Sequence, residues 1–229
     1  MIQAILFDFN GVILNDEPLQ MKAYQEVLGA EGISLTEEEY YSCLGMDDAT
    51  FVRAAFARAG RPLTDAVMRD LIERKTAAHR KMIEADLPLF PGVENFVKAA
   101  SFRYTLGLVS MARRVEIDHV LERAHLQRAF AVVVSAEDVT ACKPDPACYL
   151  RALDMLNDRR HAEGAPPIRP EECLAIEDAP PGIQAARAAG MRTLGVTNTV
   201  TEKALRAAGA EVVTASLADW TPDAVYYLF

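Results

Sequence analysis

The chain is predicted to be an α/β protein, a doubly wound parallel sheet with a small helical domain inserted after its first strand. Three observations predict this. Short apolar runs alternate with helix-length segments from Pro91-Gly92 onward, the pattern of strands joined by helical crossovers. A further apolar run, Ile2-Gln3-Ala4-Ile5-Leu6-Phe7, stands at the start of the chain, apart from that alternation. Between the two lies a block, from about Asn15 to Asp86, that reads as helix throughout.

The opening run reads as a buried strand because apolar residues fill both of its faces. In the helical block, Leu19, Ala23, Tyr24, Val27 and Leu28 form one stripe that Gly32 ends. Thr36-Glu37-Glu38-Glu39 is a capping box that starts a second helix. Phe51, Val52, Ala55, Phe56 and Ala59 make a third stripe closed by Gly60, and Val67, Met68, Leu71 and Ile72 begin a longer fourth after Thr64. Without strands to cover, these helices form a small bundle. Further strands are expected at Tyr104–Val109, Ala131–Val134, Cys173–Ile176, Thr193–Val196 and Glu211–Thr214. Helices are expected near Val93–Ala100, Val115–Arg123, Pro146–Leu156, Pro181–Ala189 and Glu202–Ala208. The polar stretch Asn157 to Pro170, rich in Arg, Pro and Gly, reads as a surface loop. The expected division is a core of residues 1–14 and 89–229 and a cap of residues 15–88.

A chain of 229 residues, 51% hydrophobic and 25% charged, suits a soluble globular enzyme. Its net charge of −9, from 24 basic and 33 acidic residues, argues against nucleic acid or an anionic membrane as partner. Cys43, Cys142, Cys148 and Cys173 are scattered, with no C-x-x-C pair, so neither a zinc site nor a disulfide framework is signalled. No apolar run approaches a membrane span and no signal segment is expected, so the reading is a cytoplasmic protein, a monomer or weak homodimer.

Four groups fall at the predicted carboxyl edge of the sheet, where ligands bind in open α/β folds. They are Asp8-Phe9-Asn10-Gly11, Ser110, Lys143 in Ala141-Cys142-Lys143-Pro144-Asp145, and Glu177-Asp178. Taken singly, each has an ordinary explanation as a helix cap, a turn residue or a solvated charge. Taken together, a carboxylate, a hydroxyl, an ammonium and two further carboxylates make one site. The set suits phosphoryl transfer through a covalent aspartyl phosphate. A carboxylate attacks phosphorus, acidic oxygens suit Mg²⁺, and Lys143 and Ser110 hold phosphoryl oxygens as charge develops. Gly11 lets the loop backbone come close to the phosphate.

The order and spacing of these groups resemble the haloacid dehalogenase superfamily, in the branch of phosphoglycolate phosphatases, sugar-phosphate phosphatases and β-phosphoglucomutase. DFNGVILNDEP (Asp8 to Pro18) is similar to that branch's opening motif and EDAPPGIQAARAAGM (Glu177 to Met191) to its closing one, with Ser110 and Lys143-Pro144 between. The resemblance covers essentially the whole chain. It implies a Rossmann-like core with a helical cap. It makes Asp8 the nucleophile and a Mg²⁺ ligand, the Asn10 backbone carbonyl and Asp178 further ligands, and Glu177 a support acting through the metal's water. Ser110 and Lys143 would bind phosphate, with Gly11 and Met111 beside it. Leu44-Gly45-Met46-Asp47-Asp48 falls at the substrate-facing loop of the cap, where Gly45 and Asp48 would meet substrate; an ordinary helix cap by Asp47 or Asp48 is the alternative.

The chain departs from that pattern at the family's general acid/base aspartate, which here is Asn10; an amide neither donates a proton to an alkoxide nor takes one from water. Nearby, Asn15-Asp16-Glu17 stands where the family reads Asp-Ser/Thr-Glu. Asp16 is either a substitute proton carrier or a hinge or cap residue. The expected function is a Mg²⁺-dependent phosphatase of a small phosphorylated metabolite, of the sugar-phosphate or phosphoglycolate type, working through an aspartyl-phosphate intermediate and slowed by Asn10. The alternatives are a hexose-phosphate mutase, which needs the missing acid/base more, and a catalytically weak phosphometabolite-binding or regulatory protein.

Overall fold

The structure, a computed structural model, describes residues 1–229. Six parallel strands form one sheet in the order β3-β2-β1-β4-β5-β6. They are β1 (Ala4–Phe7), β2 (Thr105–Val109), β3 (Val132–Val134), β4 (Cys173–Glu177), β5 (Arg192–Val196) and β6 (Val212–Thr214). The order reverses at β1, the central strand, so β1 and β4 flank the switch point where crossover helices leave a crevice. Phe7 lies opposite both Leu108 and Ile176, so Asp8, Ser110 and Glu177-Asp178 leave the same edge of the sheet.

Alternation along β1 divides the core. Ile5 and Phe7 enter a cluster of 27 buried residues that also holds Phe96, Val97, Ile117 and Val120 from α5 (Val93–Ala100) and α6 (Arg114–Arg123). Ala4 and Leu6 enter an 18-residue cluster on the opposite face with Tyr149, Leu153 and Ala186 from α7 (Ala147–Ala162) and α8 (Pro180–Ala188). Both faces of β1 are therefore dry, which is why it reads as an unbroken apolar run.

The helical block consists of α1 (Glu17–Ala30), α2 (Glu37–Tyr41), α3 (Asp48–Arg58) and α4 (Asp65–Ile83), and it packs around its own cluster of 12 buried residues between Tyr24 and Leu71. The Thr36 capping box forms as its spacing predicts, with Thr36 accepting from Glu39 N–H and Glu39 accepting from Thr36 N–H. The chain enters and leaves this block side by side. Asn15 N–H donates to Pro88 O at 2.7 Å, and Leu14 bridges Leu89 in antiparallel sense.

Two expectations are corrected. The stretch from Asn157 is not a loop along its whole length, because α7 continues to Ala162. The Asn157 side chain holds the returning chain by bonding both Ile168 N–H and Ile168 O. Arg159, Arg160 and His161 in the last turn complement the negative end of the helix dipole, so the polar residues that suggested a loop suit a helix terminus. A last helix, α10 (Pro222–Leu228), was not expected; it follows α9 (Glu202–Ala208) and β6, begins with a Thr221 cap and buries only Val225. One buried side chain gives almost no apolar periodicity to read.

Phe7 is fully buried, edge-on to Phe96 (6.0 Å between centroids) and to Phe130 (5.9 Å). Phe7→Ala should therefore destabilise the protein by about 3–5 kcal/mol, read as a lower urea midpoint with an unchanged slope. A loss below about 1 kcal/mol would show that the central strand is not packed as described.

Candidate active site

The site is assembled by strand ends. Asp8 follows β1 and its N–H donates to Ile176 O at 3.0 Å, which ties the β1 exit to β4. Ser110 closes β2, its N–H bonded to Val134 O and its Oγ accepting from Ala112 N–H. Asp8, Glu177 and Asp178 each bring a carboxylate oxygen within 4.8 Å of the others. Lys143 Nζ lies 2.9 Å from Asp8 Oδ1 and 2.7 Å from Glu177 Oε1, and donates to Val109 O. The Tyr149 hydroxyl also donates to Glu177 Oε1.

Burial decides the electrostatics. Burial alone would lower the Lys143 ammonium's pKa, but Asp8 and Glu177 hold it above the usual lysine range. Burial raises the Glu177 and Asp178 carboxyls well above the ordinary value, Asp8 adds to both, and Lys143 opposes. Glu177 Oε2 and Asp178 Oδ2 are buried with no hydrogen-bond partner. Bare buried carboxylate oxygens are costly, and a divalent cation that prefers oxygen ligands would satisfy them and relieve the crowding of charge. The residues present fit such an ion.

One cleft gathers nearly all the residues singled out in the sequence. Asp8, Asn10, Ser110, Met111, Lys143, Glu177 and Asp178 line it from the sheet, and Gly45 and Asp48 from the helical block. Gly11 is the exception: it stands behind the cleft wall. Its φ is +77°, and a Cβ there would fall 1.9 Å from Asp178 Oδ2, so its use is to let the loop pass against that carboxylate. Gly45, at φ +86°, brings the Leu44–Asp48 loop against the sheet edge, where a Cβ would lie 2.9 Å from Pro181 Cβ. Asp47 and Asp48 divide the two readings of that loop. Asp47 caps α3 through Thr50 N–H, whereas Asp48 faces the cleft and accepts from the Tyr24 hydroxyl and from Lys75 at 3.1 Å.

Asn10 and Asp16 form a unit. Asn10 Nδ2 donates to both carboxylate oxygens of Asp16, at 3.0 and 2.9 Å. Gln20 Nε2 donates to Asp16 Oδ2 at 3.0 Å, and His79 Nε2 stands 2.8 Å from the same oxygen, off the hydrogen-bond axis. Asp16 is fully buried, does not line the cleft, and makes no side-chain cap bond to α1 although it occupies the cap position. It stands at the point where the chain enters the helical block.

Glu17, Gln20 and Lys75 also line the cleft, and the apolar stripes concealed them. The signal was a polar residue on a buried face. Lys75 lies one turn from Leu71 on α4, and Glu17 and Gln20 lead to Tyr24 on α1. Lys75 Nζ also meets Glu116 of α6 at 3.1 Å, joining the helical block to the core.

Residues 5–196 match the family model of the haloacid dehalogenase-like hydrolases. The chain belongs to that family. It is 32% identical over 220 residues to a phosphorylated carbohydrates phosphatase of Thermotoga maritima, with 91% of this chain and 92% of that protein covered. It is 28% identical over 222 residues to hexitol phosphatase B of Escherichia coli, with 96% and 95% covered. A solved β-phosphoglucomutase from Clostridium difficile shares the fold at a TM-score of 0.85 and 22% identity, covering 100% of this chain and 97% of that one. No helix is long and apolar enough to cross a membrane.

Glu17 supplies a pH test. Burial, then the neighbouring Asp16, pushes its carboxyl up from 4.5 to about 7, against the Tyr40 hydroxyl that donates to it. A raised carboxyl means that the fold favours the protonated form, so the stability linked to it is complete below the unfolded value and is lost as pH rises toward the folded one. In EDTA, unfolding free energy should carry a loss of about 3 kcal/mol across that window that Glu17→Gln removes. Urea titrations at stepped pH check this; equal pH dependence in parent and variant would count against the assignment.

Proposed function

We propose that this hydrolase is a Mg²⁺-dependent phosphomonoesterase acting on a small phosphorylated metabolite of the sugar-phosphate type, by way of a phosphoryl group carried on Asp8. One observation carries the reading: Asp8, Glu177 and Asp178 share one oxygen-rich focus with Lys143 bridging two of them. The phosphatase relatives support it, and residues 15–88 would act as the cap that closes over substrate. The free thiols of all four cysteines fit the reducing interior expected of a cytoplasmic enzyme.

Asp8, Asp178 and the Asn10 backbone carbonyl would hold Mg²⁺ directly, with Glu177 supporting it through coordinated water. The ion supplies positive charge that lets an anionic phosphate approach a carboxylate. An Asp8 oxygen attacks phosphorus, the new P–O bond forms, and the ester P–O bond breaks with its electrons on the leaving alkoxide. Lys143 and the Ser110 hydroxyl would hold the phosphoryl oxygens during transfer. Water then attacks the phosphoryl group and returns Asp8 as a carboxylate. Both steps need a proton carrier. Asn10 cannot be one, and Asp16 is sealed from the cleft by Asn10, Gln20 and His79. Slow turnover follows. Asn10 is also the feature favouring the second reading, a protein that binds phosphometabolites and scarcely hydrolyses them; measuring binding and phosphate release separately distinguishes the two. A mutase ranks below the phosphatase because its reaction depends especially on the missing acid/base.

Asp8→Ala should abolish phosphate release while leaving the fold intact, because Lys143 keeps Glu177 as its partner and the charge crowding on Glu177 and Asp178 is relieved. Circular dichroism and a phosphate-release assay check this, and hydrolysis surviving in a pure preparation would overturn Asp8 as nucleophile. EDTA should likewise stop release, and Mg²⁺ should restore it.

Restoring the acid is a coupled change. Asn10→Asp alone would set two carboxylates about 3 Å apart, and one would retain a proton. Asn10→Asp together with Asp16→Ser frees the new carboxyl, and turnover of alkyl phosphates should rise by roughly tenfold or more. The single change should gain less. No gain in the double variant would show that Asn10 does not limit turnover.

A further inference from the structure

We infer that the cleft selects phosphomonoesters whose remaining part is uncharged and rich in hydroxyls, and rejects bisphosphates and carboxylated phosphates. The inference rests on the phosphomonoesterase reading and narrows its substrate.

Two ammonium groups line the cleft, Lys143 and Lys75, and no arginine or histidine does. Lys143 serves the reacting phosphate at the sheet edge. Lys75, on α4 of the helical block, is spent. Its Nζ sits 3.1 Å from Asp48 Oδ1 and 3.1 Å from Glu116 Oε1, with the Tyr24 ring 5.1 Å away. Glu17 lines the same cleft and adds a third carboxyl to that neighbourhood. A second phosphate would have to pull Lys75 from two buried partners and face their unpaired charges, a like-charge juxtaposition that selective sites use to exclude ligands.

The hydrogen-bonding inventory points the same way. Asp48 and Gln20 line the cleft, and their buried Oδ2 and Oε1 atoms accept no hydrogen bond within the protein. Both are acceptors, so they call for donors. A dianionic phosphate or a carboxylate has none to give, whereas each hydroxyl of a polyol or sugar has one. A site built to bond hydroxyls discriminates strongly, because the wrong ligand leaves its buried acceptors unpaired.

The test pairs matched ligands. Phosphate release with Mg²⁺ would be measured on mannitol 1-phosphate, mannitol 1,6-bisphosphate and phosphoglycolate, and calorimetry on Asp8→Ala would measure binding of the same three. The monophosphate should lead by about 100-fold in kcat/KM and in affinity. Glu116→Gln withdraws one partner from Lys75 without altering the cleft wall, and should narrow the gap to the bisphosphate by about tenfold. A bisphosphate or phosphoglycolate handled as well as the monophosphate overturns the inference, as does binding of none of the three. Selective binding of the monophosphate with no release supports the inference and overturns the hydrolase reading instead.

Discussion

Three carboxylates crowd one poorly hydrated pocket, and the Lys143 ammonium is the one positive charge set among them, opposing the rise that burial and Asp8 impose on Glu177 and Asp178. It spans Asp8 and Glu177, so it links the exit of β1 to that of β4 and fixes their distance across the switch point. Val109 O accepts from it and the Tyr149 ring lies 5.6 Å from its Nζ, both within a wall of the 18-residue cluster. A buried ion pair of this kind is weak evidence of net stability, since desolvation offsets much of its attraction, but losing one partner leaves the others exposed to the full cost. The cluster is therefore arranged for charge, and the apolar shell around it supplies the stability.

Asn10 and Asp16 show the same constraint where the chain enters the helical block. The amide of Asn10 bonds both carboxylate oxygens of Asp16, and Gln20 donates to the same group while His79 stands beside it. Asp16 thereby ties the loop after β1 to α1 and sets it against α4.

Much of this was legible in the sequence because strand ends are punctuated by chemistry. The β1 and β4 runs are apolar on both faces, so Asp8 and Glu177-Asp178 stand out where they stop. Lys143 and Ser110 share that context, and the structure brings all of them to one edge. Lys75, Glu17 and Gln20 were hidden for the opposite reason: they sit within helical stripes, where periodicity marks burial and says nothing of what a buried polar residue faces. Glycine signals close approach, and at Gly11 the structure shows the Asp178 carboxylate as one group the loop backbone passes closely. The end of α7 was misjudged because polar residues favour both loops and helix termini, and only the Asn157–Ile168 contacts, a tertiary feature, decide between them.

The position of β1 also governs how the molecule can be made. It precedes both of its partners by a long stretch of chain, since β2 begins at Thr105 and β4 at Cys173. Loop-closure entropy makes such distant pairings slow, whereas the helical block between them is held by contacts between neighbouring helices. During synthesis that block can acquire its own core while β1, with both faces apolar and both edges open, still waits. The strand that carries Asp8 is thus the segment most exposed to aggregation in the nascent chain.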